Sequence, residues 1–349
     1  MPIIRELVVD QYGAHLTRHS ERLVLSQKGN KLLEAPLMHL ECVLVASPGV
    51  SVSASAIAAC CEHGIPVHFI TELGEPYAAL YSAGLTGTVL TRRAQLAAYG
   101  DGRGLALAMS MGRGKLLNQA GLLRYAAKYR KETSPALHQQ LIELSELVED
   151  HTRELERLAG QCPAADQVQA LDDYRSQLLS IEGRAAKYYW DGVGILIEAK
   201  WRWPGRQGRG ASDPVNCCLN YCYGILYGQV ERALVLAGLD PYGGFLHADR
   251  PGKPSLVLDA IEEFRQPAVD RTVLAVLNRG QSIAQGDDGL LDQATRHTLA
   301  EAVLKRLATE TEYADKRFQL GSVIQSQARR IASYLRGEQE VYQPFVQKW

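Results

Sequence analysis

Between Phe245 and Arg271 one short stretch holds a histidine, a basic loop and paired carboxylates. His247 follows Gly243 and Gly244, in a segment that would not continue a helix. Arg250-Pro-Gly-Lys-Pro makes a loop that carries Arg250 and Lys253. Ser255 is then placed to cap a helix running from Leu256 to Arg265. Asp259 and Glu262 stand three apart in it, so their carboxylates share a face. Leu258, Ile261 and Phe264 anchor the remainder. Two neighbouring carboxylates repel, and a bound cation is the common remedy.

A third carboxylate stands apart. Glu182 lies in the helical run Ser176-Gln-Leu-Leu-Ser-Ile-Glu-Gly-Arg-Ala-Ala, with Leu178 and Ala186 four residues to either side. It therefore emerges from an apolar face, where an ionised group needs an arginine, a metal or water. The residues alone leave a salt bridge to arginine open for Glu182, and a loop or core role open for His247. Lys115, Arg124, Lys128 and Arg130 read as an exposed helix face. Lys200, Arg202, Arg206 and Arg209 fall in a glycine-rich stretch with two tryptophans and no acid, which suits phosphate contact and stacking as well as it suits a solvated loop. His15 and His19 have a ligand-like spacing, but in strand or turn rather than helix. Cys218 and Cys222 share a helix face without a second ligand pair, so they read as buried thiols.

The elements that must carry these residues fall into two groups. Ile4–Val9, Arg22–Ser26, Cys42–Ala46, Ile65–Ile70 and Tyr77–Tyr81 read as strands, with a short helix capped by Ser53 or Ser55 and stopped by Gly64. After Gly84-Leu-Thr-Gly-Thr the period changes to 3.6, from Arg92 through Gly321–Arg336. The expected fold is α+β: a β-rich domain over 1–85, a linker over 86–91 and a larger all-helical domain over 92–349, which carries all three of these acids and His247.

These blocks, in this order, resemble the CRISPR-associated spacer-acquisition integrase family. The resemblance rests on Ile181-Glu-Gly-Arg-Ala-Ala, Asp213-Pro-Val-Asn, Leu219-Asn-Tyr-Cys-Tyr-Gly-Ile-Leu-Tyr, Ala237-Gly-Leu-Asp-Pro-Tyr-Gly-Gly-Phe-Leu-His, Ser255-Leu-Val-Leu-Asp-Ala-Ile-Glu-Glu-Phe-Arg and Val269-Asp-Arg. Val50-Ser-Val-Ser, Gly64-Ile-Pro-Val, Arg93-Ala-Gln and Tyr342-Gln-Pro-Phe fit more loosely, and together they span essentially the whole chain. The resemblance implies that Glu182, His247 and Glu262 hold Mg²⁺ or Mn²⁺ and are catalytic, with Asp259 supporting and Tyr227 near the reacting DNA. It implies phosphodiester transesterification, in which a 3′-hydroxyl of a short double-stranded fragment attacks the edge of a CRISPR repeat. It implies a homodimer paired through the N-terminal domains, together with a small second adaptation protein. A nuclease on branched or single-stranded DNA, and a DNA-binding scaffold with a dispensable metal site, would use the same residues.

Composition narrows the classes further. Hydrophobic residues make up 46% and charged residues 22% of 349, an ordinary globular balance long enough for two cores. The net charge of −1 gives no bulk attraction for DNA, so contact must come from local patches. No apolar run is long enough to span a membrane, and no secretory signal is visible. Seven cysteines without a C-x-x-C pair suit a reducing cytoplasm.

Overall fold

The computed structural model describes residues 4–82, 89–161, 171–208, 210–286 and 288–349. The chain divides into two compact units. One comprises residues 1–85, 208–228 and 280–305, and the other 86–207, 229–279 and 306–349. The division is therefore discontinuous in sequence.

The first unit opens with β1 (Glu6–Val9), β2 (Ala14–His19), β3 (Arg22–Gln27), β4 (Asn30–Pro36), β5 (Cys42–Val45), β6 (Ser51–Val52), α1 (Ala54–Glu62), β7 (Val67–Ile70) and β8 (Pro76–Leu80). One sheet has the order β1-β5-β7-β8, with the first three strands parallel and β8 antiparallel. The other has the order β4-β3-β2-β6, antiparallel except that β6 runs parallel to β2. Strand alternation turns Leu7, Val9, Val43 and Val45 of the first sheet, and Leu16, Leu23 and Leu25 of the second, into one core shared with Ala56, Ala59 and Cys60 of α1. Ser53 caps α1 by accepting from the Ala56 N–H. Strand β4 was not among the sequence expectations, and β2 was expected only as strand or turn around His15 and His19. Each carries charged residues on its open face, which hides the apolar alternation.

The second unit holds α2 (Val89–Ala98), α3 (Gly102–Lys128), α4 (Pro135–Gln161) and α5 (Leu171–Leu196). Helix α6 (Pro214–Leu236) runs from the first unit into the second, followed there by α7 (Ser255–Ala260) and α8 (Arg271–Asn278). Helix α9 (Gln293–Leu307) precedes the hairpin β9 (Glu310–Tyr313) and β10 (Lys316–Gln319), and α10 (Leu320–Leu335) closes the regular structure. Helix α3 packs against both α4 and α5 and carries a nearly continuous buried face from Leu105 to Ala127. The hairpin departs from the expectation of an all-helical domain: Thr311, Tyr313 and Phe318 suit strands, and Ala314 and Asp315 take left-handed turn conformations. Residues 84–88 lie outside the described residues, while 89–91, expected as linker, form the first turn of α2. No described helix is long and apolar enough to cross a membrane.

Candidate active site

The second unit brings Glu182 and Glu262 to a single buried ammonium. Lys115 Nζ lies 3.1 Å from Glu182 Oε2 and 3.1 Å from Glu262 Oε2. Both carboxylates are about 5% exposed and the lysine 15%. The pairing is built from three elements. Lys115 stands on the buried face of α3, one turn beyond Gly112, and Glu182 comes from the facing side of α5. A Cβ on Gly112 would lie 2.9 Å from Glu182 Oε1, so the glycine is what lets the carboxylate reach α3. Glu262 arrives from the tight 3₁₀ turn Ile261–Glu263 that follows α7, and Arg265 Nε holds its Oε1 at 3.2 Å.

Next to this pair, His247 is fixed by Asp259. The buried Asp259 carboxylate accepts from the backbone N–H of Phe245 (2.6 Å), Leu246 (2.9 Å) and His247 (2.9 Å), and from His247 Nδ1 (2.7 Å). A carboxylate only accepts, so Nδ1 carries a proton, and in the neutral imidazole this leaves the lone pair on Nε2 for another partner. Gly244 makes the approach possible, because a Cβ there would meet the Ser255 backbone at 2.6 Å. Ser255 is not the helix cap expected from sequence. Its hydroxyl has one proton to give to Tyr242 O (2.5 Å) or Asp249 Oδ1 (2.8 Å), and accepts from the Gly244 N–H, which ties the histidine loop to α7. Asp259 was also expected to share a face with Glu262 as a repelling pair. The 3₁₀ turn separates them, and Asp259 serves the histidine loop instead.

The electrostatics follow from burial and from who faces whom. Burial raises the Glu182 carboxyl above its usual range and the Glu262 charge adds to that, while Lys115 opposes both. Glu262 is held below its usual range: burial works against ionisation, but Arg265, Lys115 and His247 outweigh it. Burial disfavours the Lys115 charge, yet the two glutamates keep its pKa above the ordinary value. Glu182 Oε1 remains buried without a hydrogen-bond partner.

Lys115 is the residue that sequence reading placed wrongly, on an exposed face. Gly112, Asn118 and Gln119, one turn away on either side, are all buried, and that periodicity was the available signal. Glu182 likewise pairs with a lysine rather than an arginine. Of the other named cations, Arg250 is exposed and Lys253 half-buried in the loop after His247, and neither forms an ion pair among the described residues. Lys200 pairs with Glu198 at 2.8 Å and lies over the Trp201 ring, and Arg206 lies over Trp190. Trp203 packs on α5 beside Gly194 and Trp190, so at least one of the two tryptophans serves the core. Arg209 lies outside the described residues. Tyr227 sits half-buried on α6 within the first unit.

As arranged, no three His, Cys, Asp or Glu side chains among the described residues gather closely enough to ligate one ion. The donor set nevertheless suits a hard divalent cation. Two buried carboxylates already converge on a positive charge, one carboxylate oxygen is orphaned, and an oriented imidazole stands close enough to act on both electrostatically.

A β-rich unit with a helical unit that carries an acid–histidine centre defines the class, and the comparisons specify it. The family model for CRISPR associated protein Cas1 matches residues 7–310. A CRISPR-associated endonuclease Cas1 from Archaeoglobus fulgidus is 36% identical over 98% of this chain and 99% of its own length. One from Francisella tularensis is 31% identical over 99% and 100%. The chain belongs to the Cas1 family. Among solved structures, a casposase bound to integration product superposes with a TM-score of 0.80 at 20% identity, covering 97% of this chain and 93% of that one. A CAS1 protein from Thermotoga maritima gives 0.76 at 18%, covering 98% and 100%. A Cas6-RT-Cas1–Cas2 complex gives 0.77 at 20%, covering 99% of this chain and 37% of that one. At such identities these three speak for the fold alone.

Proposed function

We propose that this chain is a divalent-metal-dependent DNA endonuclease and integrase of CRISPR adaptation. It would join the 3′-hydroxyl ends of short double-stranded fragments to the CRISPR repeat. The observation that carries the reading is the convergence of Glu182 and Glu262 on one cation position beside a histidine whose tautomer Asp259 sets. The curated relatives named endonuclease, and the casposase of the same fold solved with integration product, support it.

Glu182, Glu262 and His247 Nε2 would hold Mg²⁺ or Mn²⁺. When bound, the cation supplies Lewis acidity to the scissile phosphate and charge for the departing oxygen. In the chemical step the 3′-oxygen forms a bond to phosphorus as it loses its proton, and the bond to the leaving 3′-oxygen breaks as that oxygen gains one. Glu182 and Glu262 orient the metal side of this exchange, while Asp259 prevents the imidazole from turning. Lys115 holds the two glutamates together where the cation would otherwise neutralise them. Arg250, Lys253, Lys200, Arg202, Arg206 and Arg209 are assigned to DNA backbone contact, and Tyr227 to the reacting strand. A homodimer, a small second adaptation protein and a cytoplasmic location complete the reading. The Cas6-RT-Cas1–Cas2 complex supports the partner, since a Cas1 fold there assembles with Cas2.

The test is strand transfer of labelled duplex with free 3′-hydroxyls into a supercoiled plasmid bearing repeats, with the small partner and Mn²⁺ or Mg²⁺. Label should join with the wild-type chain and not with Glu182→Ala, His247→Ala or Glu262→Ala. Cutting of branched DNA without joining would leave only a nuclease, and joining by all three variants would remove the metal centre from the reaction.

A further inference from the structure

Away from that centre, the ends of α3, α5 and α8 enclose a concavity of about 250 Å³. Arg130, Arg271 and Arg279 line it with Tyr125, Tyr129 and Asn278, and no carboxylate does. Arg306 stands behind Arg271. Burial, and then the Arg271 charge, bring its guanidinium down to about 10.

Elsewhere among the described residues about half of the arginines have an acid. Arg5, Arg18, Arg22, Arg103, Arg113, Arg124, Arg184, Arg296 and Arg317 all form ion pairs. The four around this cleft form none among the described residues. Their hydrogen bonds go to neutral acceptors: Arg271 to Tyr125 OH at 3.1 Å, Arg130 to Ala126 O, and Arg306 to Pro267 O and Gln347. A guanidinium has five N–H donors, so most of this capacity is unspent. The C-termini of α3 and α8 favour a cation at Arg130 and Arg279, but they do not account for Arg271 or for Arg306 beside it.

The wall is aromatic as well as cationic. Arg271 lies 4.8 Å above the Tyr125 ring, Tyr125 meets Tyr129 edge-on at 5.1 Å, and Trp349 backs them at 5.4 Å. Tyr129 is 64% exposed, an open aromatic face beside unpaired guanidinium groups. Repelling charges with no counter-ion call for an anion, and the open ring adds a surface for a flat partner.

We propose that this cleft binds a nucleotide unit, its phosphate held by Arg271, Arg279 and Arg130 and its base stacked on Tyr129. The unit could come from a DNA single strand or from a free nucleotide, since both present the same chemistry. The site needs no divalent cation and does not depend on the reaction assigned above.

Binding of 5′-fluorescein-labelled (dT)10 to the full chain in EDTA, followed by anisotropy over a range of salt, tests it. Arg279→Gln and Arg271→Gln should each weaken binding several-fold and reduce the salt slope by about 0.7 for each lost phosphate contact. Tyr129→Ala should weaken binding by about tenfold with the slope unchanged. Arg279 and Tyr129 are exposed, so their variants keep the fold even if Arg271→Gln does not. Displacement by thymidine triphosphate at matched phosphate concentration would identify free nucleotide as the source, and displacement only by unlabelled (dT)10 a DNA strand. Unchanged affinity and slope in Arg279→Gln and Tyr129→Ala would overturn the proposal. So would displacement by polyglutamate as effective as by (dT)10, which would reduce the cleft to a general polyanion surface. Because strand transfer is read separately, loss of either activity leaves the other interpretable.

Discussion

The residue on which the centre turns is Lys115, because it sits where a divalent cation would serve the same two carboxylates. Replacing it by methionine leaves two buried negative groups facing each other, which should cost about 3 kcal/mol in metal-free protein. A divalent cation would then do what the ammonium did. Thermal unfolding should show Lys115→Met well below wild type in EDTA, with the larger gain on adding Mn²⁺. Equal midpoints in EDTA would mean that the lysine does not neutralise the pair. Asp259 makes a second residue-scale case. Asparagine would turn an amide N–H toward donors that now share four bonds to the carboxylate. Asp259→Asn should lose about 2 kcal/mol of stability and weaken Mn²⁺ binding by about tenfold or more, measured by denaturant melts and calorimetry. Unaltered Mn²⁺ affinity would show that the imidazole is not oriented through this bond.

At the scale of elements, the site depends on how closely α3 and α5 approach. Alanine is a better helix former than glycine, so Gly112→Ala should leave helix content intact or slightly improved. Its methyl group would nevertheless displace the Glu182 carboxylate, lying 2.9 Å from Oε1. Strand transfer and Mn²⁺ affinity should fall together while circular dichroism does not change, and full activity would mean that the carboxylate tolerates the shift. The same packing explains what was legible in sequence. The long helices and the main strands announce themselves by period, and Glu182, His247 and Glu262 by motifs that resemble a family. Helix α3 reads as a helix, but its glycine face carries no mark that says Lys115 points inward. The 3₁₀ turn at Ile261–Glu263 and the π-helical turn at Arg265–Asp270 were equally hidden, since an apolar period continues through both. Those irregular turns send Glu262 and Glu263 to different neighbours, and such local departures from α geometry often mark functional positions.

Across the second unit as a whole, Glu263 links the core beneath the centre to the last residues of the chain. Its carboxylate accepts from Tyr342 OH at 2.7 Å, Phe345 N–H at 2.7 Å and Gln327 at 2.9 Å. Asn118 of α3 donates to Glu263 O and to Phe345 O, and accepts from the Gln347 N–H. Phe345 stacks on Phe264 at 5.4 Å, so the segment is fastened by both polar and apolar contacts. Burial raises the Glu263 carboxyl from an ordinary 4.5 to about 7, and the three donors only partly oppose it. The folded protein therefore binds this proton more tightly than the unfolded chain. Stability from this group is complete below about pH 4.5 and is lost as the pH rises through about 7. Other carboxylates add slopes of their own, so the group is isolated by comparing wild type with Glu263→Gln. Between pH 5 and 8 the wild-type unfolding free energy should fall by about 2 kcal/mol more than that of the variant. Parallel profiles would place the carboxyl at its ordinary pKa, whereas a steeper fall in the variant would reverse the sign and make the three donors stronger than burial.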